Sequence, residues 1–135
     1  MIQGTKLLEV DRPTNSGRIY PKAVIESALA DWEKQFNTKT MPIFKRPTDT
    51  PKMEDIVGYA ENFRFEEGYL VADIGFLKDS LPTIFPDKTN EFAVRPNGSG
   101  VVDKDTNIIQ EGYRMVGLAL RLKPVVAAAV TYEKK

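Results

Sequence analysis

The chain has 135 residues, nineteen Lys or Arg against nineteen Asp or Glu, and neither histidine nor cysteine. Balanced charge gives no basic stripe for a nucleic-acid backbone, which makes nucleic acid an unexpected partner. The missing imidazole and thiol exclude Ser-His and Cys-His catalysis, disulfides and the usual His/Cys zinc sites.

The length suits one domain, residues 1–135, burying roughly 65–70% of the unfolded surface. The first six residues carry no apolar signal region. The longest apolar run, 125–130, is far short of the ~20 residues a spanning helix needs. A soluble, cytoplasmic protein with no membrane partner is the expectation.

Residues 2–10 read as a first strand. Pro13, Asn15 and Gly17 break the segment that follows into a loop. Pro21 suits the first turn of a helix. Ala23, Ile25, Leu29, Trp32 and Phe36 then mark an apolar face that Val24 and Ala28 widen, so the spacing predicts a helix over 22–36 with Trp32 in the core. Residues 41–44 read as a short strand, and Arg46-Pro47-Thr48-Asp49-Thr50-Pro51 as a Pro-bounded loop. Residues 56–65 and 69–77 form a hairpin closed by Glu66-Glu67-Gly68, with Leu70, Ala72, Ile74 and Phe76 on one face.

Between Pro82 and Pro86 there is room for one helical turn. Residues 92–94 suggest another short strand. Asn97-Gly98-Ser99-Gly100 reads as a tight turn, because glycine is the default where φ is positive. Val101-Val102 and Ile108-Ile109 flank a second turn over 103–107. Residues 113–122 alternate: Tyr113, Met115, Gly117, Ala119 and Arg121 against Arg114, Val116, Leu118, Leu120 and Leu122. Residues 125–132 make a last strand, and 132–135 a tail or an arm that orders on assembly. The sum is an α+β fold: a compact, mostly antiparallel, closed β-barrel of about seven strands with one main helix.

No local motif carries chemistry by itself. Gly98-Ser99-Gly100 lacks the third glycine and following helix of a phosphate loop. The acidic pairs Glu54-Asp55, Glu66-Glu67 and Asp103/Asp105 lack an EF-hand ladder, so no metal and no cofactor is expected. The serines are Ser16, Ser27, Ser80 and Ser99, and nothing local marks a Ser-Lys dyad. Phe63, Phe65, Tyr69 and Phe76 read as core rather than as a base-stacking platform.

Asn15-Ser16-Gly17-Arg18-Ile19-Tyr20-Pro21, followed at once by a helix, resembles the N-terminal signature of tailed-phage head maturation proteases. Those enzymes share the herpesvirus assemblin fold, a closed β-barrel with surrounding helices. Later segments follow in the same order. Arg46-Pro47, near Asp49 and Pro51, stands where the family has a His-Pro step. Val57-Gly58-Tyr59 through Val71 matches the hairpin with an acidic-Gly turn. Residues 92–100 match the stretch that bears the nucleophile, and residues 113–120 match the closing strand that leads to a Pro, here Pro124. The resemblance runs from Val10 to Pro124.

At the two catalytic positions the resemblance implies replacement. The His position carries Arg46, which stays protonated, and the Ser position carries Arg95 or Pro96, neither of which offers a hydroxyl. The implied protein is not an enzyme. It is a non-catalytic head protein of a tailed phage, a capsid decoration or cement protein bound to the major capsid protein, with self-association on the shell left open. Its place is the virion, after assembly in the host cytoplasm. Arg46 and Arg95 would then be binding residues, two fixed positive charges for a carboxylate or an acidic peptide. One alternative is an internal prohead scaffold or core protein. The other is a His-independent serine protease using Ser99 with Lys104 or Lys88.

Overall fold

The computed structural model describes residues 2–14, 16–47, 50, 52–77, 92–122 and 129–134. Expectations for Asn15, Thr48, Asp49, Pro51, Ser80, Lys88, Pro124 and the segment between Pro82 and Pro86 lie outside the described residues.

The chain runs β1 (Ile2–Glu9), α1 (Lys22–Phe36), β2 (Met41–Phe44), a single 3-10 turn (Met53–Asp55), β3 (Ile56–Glu66), β4 (Tyr69–Phe76), β5 (Phe92–Val102), β6 (Arg114–Leu122) and β7 (Ala129–Lys134). Helix α1 forms where the sequence places it. The backbone NH of Lys22, in its first turn, donates to Asp11 Oδ1 at 3.0 Å, and Asn37 ends the helix in the left-handed region. Its buried face is Val24, Ile25, Ala28 and Trp32. Ala23 is exposed and Phe36 half exposed, so the apolar stripe is rotated from the expected one. Trp32 is 8% exposed, and its Nε1 donates to Thr40 O at 3.1 Å, tying the helix end to the start of β2.

The strands form one sheet in the order β1-β4-β3-β2-β6-β5-β7. Four of the six pairings are antiparallel, while β2/β6 and β5/β7 are parallel. The expected closed barrel is corrected here. Among the described residues β1 and β7, the two ends of the strand order, do not pair with each other, so the sheet is an open, curled half-barrel. Closure needs the two edge strands to meet in register with a fixed stagger. β1 instead shifts register between Ile2 and Thr5 and again between Lys6 and Leu8, which turns an edge away from further pairing.

The core lies on the concave side, where Leu7, Ile25, Met41, Ile43, Leu70, Ile74, Val94 and Leu118 are each no more than 1% exposed. Tyr20 and Tyr113 meet there edge to face, with centroids 6.0 Å apart.

Two other expectations change. The Gly98-Ser99-Gly100 stretch is not a turn but the middle of the eleven-residue strand β5. Its glycines leave room for Tyr113. A Cβ on Gly98 would meet the Tyr113 hydroxyl at 2.8 Å, and one on Gly100 would meet the Tyr113 ring at 3.1 Å. In β6 the alternation breaks at Gly117. This residue has φ +115°, and the β5 register slips between Pro96 and Gly98 opposite it. Such a bulge shifts the side-chain parity by one. Tyr113 and Met115 therefore face the core before it, and Leu118 and Leu120 after it.

Candidate functional site

The parallel pairing of β2 with β6 sets Phe44 beside Ala119, and the antiparallel pairing of β6 with β5 sets Ala119 beside Arg95. Phe44, Ala119 and Arg95 thus form one row across three strands, and members of a row share a face. The neighbouring row, with Leu120 and Val94, belongs to the core, so the Arg95 row lies on the opposite face. That face is also covered, with Phe44 4% and Ala119 0% exposed. Arg95 is half-buried, and its Nη1 donates to Val94 O at 3.0 Å.

Arg46 lies two residues beyond Phe44, in the bend that follows β2, and is exposed. Phe44 and Arg95 are two strand spacings apart, about 10 Å. Arg95 thus stands at the β5 side of the row, while Arg46 lies past Phe44 at its β2 side, two residues beyond the strand. Pro96 follows Arg95 on β5, buried and level with Leu118.

The loop that carries Arg46 is pinned at both ends. Lys45 Nζ pairs with Asp55 Oδ1 at 3.1 Å, and the Lys45 backbone NH donates to Asp55 O at 2.8 Å. Asp55 is 9% exposed, a nearly buried carboxylate kept in place by its partner. Sequence reasoning did not single out this pair, since nothing in Glu54-Asp55 distinguishes a buried from a solvated acid.

A second polar cluster, also missed, sits where two irregular strand segments converge. Asp73, 7% exposed, accepts from the Gly4 backbone NH at 3.0 Å, from Asn62 Nδ2 at 3.0 Å and from Arg64 Nη1 at 3.2 Å. Arg64 Nε also donates to Glu66. Gly4 and Asn62 both have left-handed φ, +68° and +56°. The Asn62 hydrogen bond, then the Gly4 NH, holds the Asp73 carboxyl below its ordinary range against the cost of desolvation, with Arg64 adding to the shift. The Arg64 guanidinium is pushed further up, chiefly by Glu66. One signal was available: Asp73 is the lone charge in Leu70-Val71-Ala72-Asp73-Ile74.

The remaining candidates are scattered. Ser99 is exposed on β5, level with Arg114. Lys104 lies in the turn beyond the end of β5, and three strand residues, roughly 10 Å, already separate Ser99 from Val102. Ser27 is exposed on α1, and Ser16 meets Thr14 Oγ1 at 3.0 Å. Among the described residues no three acidic side chains converge as a cation site requires. Asp103 instead caps its own turn, accepting from the Asp105 NH at 2.8 Å. Among the described residues no helix is long and apolar enough to cross a membrane.

No protein-family model matches the chain. No curated protein matches it either. Among solved structures it is similar to the bacteriophage T4 capsid assembly protease, gp21, with a TM-score of 0.69, 15% identity, and coverage of 91% of this chain and 90% of that one. The chain thus has a prohead-protease-like fold. This match corrects the expectation that the chain is not an enzyme: the fold it shares is that of a protease. Replacement of catalytic groups at Arg46 and at Arg95 or Pro96 is not shown by it.

Proposed function

We propose that this chain acts in the assembly of a tailed-phage head, docking on the major capsid protein as a decoration protein of the shell. The observation that carries this reading is the fold shared with a capsid assembly protease over nine-tenths of both chains. In this reading the docking residues are Arg95, on β5, and Arg46, in the bend after β2 that the Lys45–Asp55 pair holds. Arginine binds carboxylates in two-pronged geometry, so the matching element is an acidic segment of the capsid protein. The test is binding of the Arg46→Ala/Arg95→Ala variant to purified capsids. A loss of about tenfold or more is expected for two charge-assisted contacts, and undiminished binding sinks the proposal. Mass spectrometry of mature virions fixes the place: abundance near that of the shell subunit supports decoration, and presence in proheads alone makes it an internal scaffold.

The protease fold favours a second reading, a peptidase of head assembly. A hydroxyl is a nucleophile that needs neither imidazole nor thiol on the side chain itself, and Ser99 is an exposed serine on β5, beside the edge strand β7. Cleavage of a fluorogenic peptide library, abolished by Ser99→Ala, establishes it, and cleavage that survives Ser99→Ala removes Ser99 from the role.

A further inference from the structure

β2 covers only half of β3. Their pairing runs from Phe44 beside Ile56 to Met41 beside Ala60. Past Ala60, β3 keeps β4 on one side as far as Glu66 beside Tyr69. Among the described residues no strand pairs with the other side of residues 61–66. The cause is local: α1 and the turn after it occupy the chain up to Thr40, so β2 cannot start earlier.

α1 stands beside this gap without sealing it. Lys22 Nζ lies 5.0 Å from the Phe65 ring centroid at one end, and Trp32 closes on Thr40 at the other. The helix thus runs along the open edge, antiparallel to β3. At its C-terminal half a groove of about 430 Å³ remains, with Leu29, Ala30 and Trp32 on one wall and Glu61, Asn62 and Phe63 on the other.

We propose that this groove binds an extended peptide of a partner protein, added as a strand to the open edge of β3, with apolar side chains on one face and Lys or Arg on the other. An unpaired strand edge offers main-chain donors and acceptors that only extended backbone can match. Past the register shift between Glu61 and Arg64, residues 64–66 present roughly 7 Å of regular edge, the span of a short strand. Leu29, Trp32 and Phe63 supply the apolar contact. The charge follows from the rim: Lys39 is already paired with Glu33 at 4.0 Å, whereas Glu61 has no ion pair among the described residues. The inference stands apart from Arg46 and Arg95, and neither proposal falls with the other.

The test is a titration of the ¹⁵N-labelled full chain with acetylated (Val-Lys)₃ amide, and with (Val-Glu)₃ as the control. The Val/Lys peptide is expected to shift the amides of residues 62–66 and the Trp32 indole. Glu61→Lys is expected to weaken binding about tenfold, because attraction across the strand pair becomes repulsion. Ala30→Trp, at an exposed helix position, fills the groove and should abolish binding. Glu61→Lys decides alone if the tryptophan variant misfolds. Equal binding of the Val/Glu peptide, shifts confined to β1 or β7, or no shifts overturn the proposal. So do groove shifts that depend on protein concentration without peptide, which would make a second copy the occupant.

Discussion

Asp73 shows how one side chain can hold two bulges in register. Its carboxylate takes the Gly4 NH from one neighbouring strand and Asn62 and Arg64 from the other, so β1 and β3 are both tied to the middle of β4. These partners favour the charged form and depress the folded-state pKa. The stabilisation is therefore complete above the unfolded carboxyl's value, about 4, and is lost as pH falls through the lower folded value. Asp73→Asn removes that linkage while keeping the shape. Chemical denaturation between pH 5 and 2 is expected to show the wild type losing more stability than the variant on acidification. Equal losses would mean that the cluster contributes nothing specific to the charged form.

At the scale of elements, β5 and β6 depend on where side chains are absent. A Cβ at Gly98 would come within 2.4 Å of the Arg114 carbonyl oxygen, backbone that cannot swing aside. Gly98→Ala is expected to cost about 2–3 kcal/mol, the range of a badly overpacked core site. Ser99→Ala, one residue on and exposed, should stay within about 0.5 kcal/mol. Thermal melts of the two variants check the contrast. The same glycines explain what the sequence conceals. Helix α1 was legible because its apolar spacing and Pro21 agree on one answer, and the β3–β4 hairpin was legible from its Glu-Gly turn. β5 was not, because Gly-Ser-Gly in a turn and Gly-Ser-Gly under a tyrosine ring look alike until Tyr113 is placed. The parity of β6 was hidden for a related reason, since Gly117 adds a residue that no alternation rule registers. Of the candidate site, Arg46 and Arg95 could be named, but the row that carries Arg95 to the strand before Arg46 depends on β6 lying between β2 and β5. The Lys45–Asp55 and Asp73 contacts depend on pairings the sequence does not display.

At the scale of the molecule, the strand order divides the chain more cleanly than its single sheet suggests. β1, β4, β3 and β2 all come from residues 2–76, and β6, β5 and β7 from residues 92–134. The two groups join in the sheet through one parallel contact, Ile43 beside Leu118 and Phe44 beside Ala119. The backbone bridges between Ile19 and residues 108–109 and the packing of α1 on β6 add to it. Parallel pairing is the weaker kind per residue, yet Ile43 and Leu118 are both fully buried. The chain is therefore built like a two-part lock whose halves each hold a run of adjacent strands. Two polypeptides ending at Leu77 and starting at Phe92 should recombine when mixed, recovering the native tryptophan fluorescence of the intact chain. Removing the side chain of Leu118, at about 2–5 kcal/mol for a buried leucine, should prevent recombination before it unfolds the unbroken protein, because only separated pieces must also overcome the entropy of meeting.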